Sequence, residues 1–102
     1  MGIEVRLKRE SGEILGEVDD SKMALSRAAQ GVAFDQTRLL RYLLPWGDAV
    51  FNQAQADDLE ADIADVKRTS PDRQLLEILS AIEPLISRLS EETHVYLWFI
   101  GD

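Results

Sequence analysis

The side chains with most chemistry to offer in this sequence are one histidine, a ladder of aspartates and two nearby arginines. His94 is the chain's one imidazole. A general base needs a nucleophile or substrate pocket beside it, and a zinc centre needs further His or Cys ligands at short spacings. The chain has no cysteine, no second histidine and no His-Glu-x-x-His. His94 therefore reads as an ordinary residue at a strand entrance and, at most, a ligand contact. Asp58, Asp62 and Asp65 recur at steps of four and three, which places their carboxylates on one helical face opposite Leu59, Ile63 and Val66. Such a face suits solvent or the basic surface of a partner. A hard cation would require oxygens from another segment as well. Trp46 and Asp48 stand in a turn, where an aromatic residue serves either as a recognition anchor or as a lid over the core. Arg38 and Arg41 flank an apolar run, with Asp35, Asp48 and Asp102 as candidate carboxylate partners, or a small ligand in a sheet–helix pocket as the alternative. Trp46, Asp48, Asp58, Asp62 and Asp65 are thus the candidate partner-binding residues, and Arg38, Arg41 and His94 the candidate ligand-binding ones. No catalytic residue, metal ligand or cofactor is assigned.

Motifs that would argue otherwise are missing from the sequence. Gly12 and Gly16 lack the lysine and following helix of a phosphate loop, and no serine stands between the glycines of a nucleophile elbow. Nineteen acidic against eleven basic residues give a formal charge of −8. That charge opposes nucleic acid, where lysine and arginine neutralise phosphates, and anionic membranes, while suiting a basic protein. From Gly47 through Val66 the chain carries acids and no base, the best candidate for an acidic patch. The start has no basic region followed by an apolar run, and no stretch is long enough to span a bilayer, so the expected location is the cytoplasm.

The positioning elements follow from periodicity. The stretch from Val95 to Ile100 is apolar on both alternating sets, the pattern of a strand covered on both faces. Ile3, Val5 and Leu7 alternate with charged residues as a strand with one wet face. Glu10–Glu13 then supplies a turn, and Ile14–Val18 pairs back, with Gly16 marking a bulge or close packing. A helix of about two turns is expected over 22–30, capped by Asp20 or Ser21 and closed by a left-handed Gly31. Phe34 should anchor the connection after it. Residues 38–44 satisfy both helical and strand spacing, and the Pro45–Asp48 turn favours strand, turn, strand. Asn52 and Gln55 suit a capping box opening a helix to about residue 68. Ser70 as cap and Pro71 as first residue open a second helix to 91, striped by Leu75, Leu79, Ile82, Ile86 and Leu89 and carrying Pro84 inside.

These elements make one α+β domain over 1–102. It has four or five mainly antiparallel strands, an antiparallel helix pair on one face and a short N-terminal helix. One helical layer leaves the second face of the last strand uncovered, which raises a homodimer as one way to bury it. The function expected is a non-catalytic interaction, accessory or regulatory protein. The alternatives are a small enzyme or ligand-binding protein with a sheet–helix pocket, and an acidic toxin-neutralising, immunity-like protein.

Overall fold

The computed structural model describes residues 2–101. Strands β1 (Glu4–Arg9), β2 (Ile14–Val18), β3 (Asp48–Phe51) and β4 (Val95–Ile100) form one sheet in the order β2-β1-β4-β3, with every neighbour antiparallel. Helices α1 (Ala24–Gln30), α2 (Ala56–Thr69) and α3 (Arg73–Glu91) pack on one face of it. Strand β4 is one of the two central ones, so the sheet is completed only when β4 inserts between β1 and β3.

The core lies between sheet and helices. Val5 and Leu7 of β1, Phe51 of β3, and Val95, Leu97 and Phe99 of β4 face Leu59, Ile63 and Val66 of α2 and the stripe of α3 from Leu75 to Leu89. Phe51 and Phe99 meet edge to face, ring centres 5.7 Å apart, a geometry favoured by the ring quadrupoles. The stripe read from the sequence of α3 is buried at each of its five positions. Phe34 is buried too and anchors its loop as expected. At the first hairpin Gly12 adopts φ 98°, and the pairing shifts register between Leu7 and Lys8 opposite the Ile14–Gly16 stretch. This is the bulge expected at Gly16.

Several boundaries differ from the sequence reading. Residues 38–44 form no strand. Leu40–Tyr42 is a single 3-10 turn, and Leu40 and Leu43, three apart, are the buried pair. The cause is remote in sequence, because Asp62 of α2 draws together the amides of Arg38, Leu39 and Leu40. The sheet consequently has four strands. Helix α1 opens at Ala24, with Met23 left-handed at φ 58°. Gly31 ends it at φ −100°, not in the left-handed region, by donating to the carbonyls of Arg27 and Ala28. The cap of α3 is Asp72, which accepts from the amides of Gln74 and Leu75, while Ser70 closes α2 by donating to Val66 O. Asn52 and Gln55 act as expected, the Gln55 side chain accepting from the Asn52 amide at 2.9 Å, but they open a 3-10 turn, Gln53–Gln55, that leads into α2.

The two sides of β4 have different cover. Val95, Leu97 and Phe99 are buried beneath the helices, whereas Tyr96, Trp98 and Ile100 are half-buried on the open face. Their neighbours there are the outward residues of β1 and β3: Lys8 lies across from Tyr96, Arg6 and Val50 flank Trp98, and Glu4 and Asp48 flank Ile100. The Lys8 ammonium sits 4.6 Å from the centre of a Trp98 ring, and Arg6 pairs with Glu4 at 2.6 Å and Glu17 at 3.4 Å. The aliphatic stems of these long side chains cover apolar surface while their charged ends stay wet. No further helix or strand among the described residues lies over this face.

Candidate interaction surface

Asp62 comes first, because the structure separates it from the other acids of its ladder. It is 1% exposed, and its carboxylate accepts the amides of Arg38 at 2.8 Å, Leu39 at 2.8 Å and Leu40 at 3.1 Å. These donors would otherwise be unpaired at the entry to a turn, and a buried carboxylate is tolerated when amides of this kind surround it. Asp62 is therefore a positioning residue for the 38–42 segment and not part of a solvent-facing stripe. Asp20 does the same near the N-terminus. Also buried, it accepts from Ile3 at 3.2 Å, Leu25 at 3.1 Å and Ser26 at 3.1 Å, tying the chain before β1 to the start of α1.

The two remaining aspartates of the ladder are on the surface and each has a base of its own. Asp58 binds the Arg38 guanidinium at 2.7 Å, and Asp65 binds Arg68 at 2.6 Å. The hydrogen bond that Arg38 donates to Asp58, with the added field of Asp58, Asp62 and Asp65, holds the Arg38 pKa above its ordinary value. Arg38 is a fixed cation at any ordinary pH. Arg41 lies against its neighbour, the guanidinium 4.9 Å from the Tyr42 ring and donating to the Tyr42 hydroxyl at 2.9 Å. Asp102, a candidate partner of both arginines, lies outside the described residues. His94 stands just before β4, exposed, with φ 58° and Nδ1 3.1 Å from Glu10. Among the described residues no hydrogen bond or ion pair joins His94 to Arg38 or Arg41, and no group of three His, Asp or Glu side chains is arranged to hold a metal ion.

Trp46 occupies the turn that delivers the chain into β3. It does not fold over the core: it is 75% exposed. The turn itself is held firmly, because the Gly101 amide donates to Gly47 O at 2.9 Å and Pro45 is buried. Exposure continues on both sides of it, with Tyr42 at 55%, Leu44 at 54% and Val50 at 41%. This run of apolar side chains was not singled out in the sequence. The signal available was the alternation of β3, where Ala49 and Phe51 face the core and Asp48 and Val50 must therefore face out. Reading 38–44 as a strand obscured Tyr42 and Leu44, whose exposure depends on the 3-10 turn.

A cleft of about 520 Å³ lies elsewhere, between the loop around Val32–Thr37 and the end of α2 with its link to α3. Arg38, Arg41 and His94 do not line it, so the candidate ligand contacts and this concavity are separate. No helix among the described residues is long and apolar enough to cross a membrane. Comparison of the chain with protein-family models, with curated proteins and with solved structures found no match.

Proposed function

We propose that this chain is a non-catalytic interaction protein, accessory or regulatory in role, whose partner is a basic protein docking on the 42–50 segment. The observation that carries this reading is the exposed run Tyr42, Leu44, Trp46 and Val50 on a segment whose backbone is anchored at both ends. Large aromatic side chains held in water by an ordered backbone lose little conformational freedom when a partner covers them, and tryptophan, tyrosine and arginine supply much of the energy at protein interfaces. The partner's sign follows from the formal charge of −8 and from Asp48, Asp57 and Glu60, which have no ion-pair partner among the described residues. Opposite charge steers association and selects against acidic competitors. Toxin neutralisation would be one instance of this chemistry, with the basic surface belonging to the target.

The test is quantitative capture from native lysate by tagged chain, in parallel with Trp46→Ser and with Asp48→Lys. Both positions are exposed, so unfolding temperatures should match the parent. Loss of a stoichiometric partner by at least tenfold in both variants supports the proposal. Equal capture by all three chains removes the 42–50 segment from the interface. A second copy is the other occupant favoured by an observation, the half-exposed Tyr96, Trp98 and Ile100 of the open face. Sedimentation of the pure chain decides that case.

A further inference from the structure

The sheet has two edges, and they are not equivalent. At the β2 edge the pairing with β1 is interrupted by the bulge opposite Leu7 and Lys8, the kind of irregularity that spoils an edge as a template. At the β3 edge the register with β4 is regular throughout, from Asp48↔Ile100 to Phe51↔Leu97. Two hydrogen bonds determine which way the β3 amides point. Glu10 N donates to His94 O, which turns the even-numbered residues of β4 toward β1 and leaves its odd-numbered ones for β3. Gly101 N donates to Gly47 O, in agreement. Because hydrogen-bonded and non-bonded pairs alternate along an antiparallel ladder, Ala49 and Phe51 bond to β4. The N–H and C=O groups of Asp48 and Val50 are then directed away from the sheet, and both residues are exposed.

We propose that this edge is a docking site for an extended segment of a basic partner, which adds to the sheet as a fifth strand beside β3. The proposal rests on the interaction reading above and gives it a partner class and a binding mode. An added antiparallel strand would exchange backbone hydrogen bonds with Asp48 and Val50, and its side chains on the open face would lie across from those two residues. The fitting sequence has a lysine or arginine across from Asp48 and an apolar residue two positions away, across from Val50. Exposed Trp46 precedes the strand and extends the apolar contact. Charge complementarity selects the occupant. Asp48, exposed at this edge, has no ion-pair partner among the described residues, and the chain as a whole carries a formal charge of −8. A second copy would bring the same acids and a further −8 of formal charge to the contact.

The experiment uses the full chain labelled with ¹⁵N and two probes, the capped hexapeptide Lys-Thr-Val-Thr-Lys-Thr and its counterpart with glutamate for lysine. At saturating lysine peptide, amide exchange at Asp48 and Val50 should slow at least tenfold, while Ala49 and Phe51, already bonded to β4, should change less than twofold. The glutamate peptide should bind at least tenfold more weakly, as should the lysine peptide to Asp48→Lys. Peptide-induced shifts at Trp46 or Tyr42 without protection at Asp48 and Val50 would overturn strand addition and leave the interaction reading standing. Equal binding of both peptides would overturn the basic partner. Protection of Asp48 and Val50 in the chain alone, with sedimentation as a dimer, would assign the edge to a second copy and overturn the proposal.

Discussion

Arg38 meets Asp62 through its backbone and not through its side chain: the Arg38 amide donates to Asp62 Oδ1 at 2.8 Å, while the guanidinium reaches Asp58. One arginine thus joins an inner carboxylate that shapes the chain and an outer one that sits in water. The outer pair is exposed on both sides and contributes little to stability.

Removing the inner carboxylate should be costly. Asp62→Ala leaves the amides of Arg38, Leu39 and Leu40 without their acceptor, the Leu40 amide in a buried position and the other two partly buried. An unsatisfied buried donor costs ~1–3 kcal/mol and a partly buried one less, so a loss of about 2 kcal/mol or more is expected. In a domain of this size that lowers the unfolding temperature by roughly 10 °C or more. Asp58→Ala should change it by less than about 0.5 kcal/mol. Thermal unfolding followed by circular dichroism separates the two. A match between them would mean that Asp62 does not organise the 38–42 segment.

The two tryptophans should behave oppositely. Trp98 is half-buried between Arg6 and Val50 with Lys8 against a ring, so Trp98→Ala should cost about half of the ~3–5 kcal/mol of a fully buried tryptophan. Trp46→Ala should stay within ~0.5 kcal/mol of the parent, as expected of an exposed side chain with no packing role. Urea midpoints for both variants measure the contrast.

Close approach makes two glycines unequal. A Cβ at Gly101 would meet the Leu44 carbonyl oxygen and lie 2.7 Å from Gly47 O, and both are backbone atoms of the turn that presents Trp46. Gly101→Ala should therefore cost ~1–3 kcal/mol, as overpacking against atoms that cannot rotate away does. At Gly16 the obstacle is Leu85 Cδ2 at 2.5 Å, the end of a flexible side chain. Gly16→Ala should cost less than about 1 kcal/mol, with Leu85 changing rotamer. Denaturant titration of both variants tests the difference, and a proton spectrum shows whether the Trp46 environment moves in Gly101→Ala alone.

Acid should weaken the junction between α3, β4 and the first hairpin. The hydrogen bond from Arg88 at 2.6 Å, aided by the charges of Arg88 and Arg9, holds the Glu92 carboxyl below the usual carboxylate range. A carboxylate lowered in the folded state binds its proton more readily when unfolded. Its stabilising contribution is therefore present above the unfolded pKa and disappears as the pH falls through the folded one. Unfolding temperatures of parent and Glu92→Gln should differ at pH 7 and converge on acidification below the ordinary glutamate range, and added salt should narrow the gap at pH 7. A gap that persists in acid would trace the effect to packing.

Patterns that repeat within one element were legible in the sequence. The α3 stripe, the alternation of β1, the Asn52–Gln55 box, Gly12 in its turn and Phe34 as an anchor follow from local geometry, and the structure has each of them. So does the α+β class, because period two at both ends and period 3.6 between them admit few packings. What the sequence could not decide were contacts between elements far apart in the chain. Leu39, Leu40, Leu43 and Leu44 have helical spacing, while Leu40, Tyr42 and Leu44 have strand spacing. The 3-10 turn won because Asp62, more than twenty residues later, gathers three amides that a strand would have sent elsewhere. The same contact took Asp62 out of an apparent solvent face, since a carboxylate's helical position does not show whether another segment will fold over it. The candidate site has the same origin. Asp48 and Trp46 could be named from turn chemistry, but the open edge beside them exists because β4 inserts between β1 and β3 and leaves β3 with one partner. Local propensity selects the elements, and only their tertiary pairing decides which backbone groups remain unpaired and which side chains remain in water.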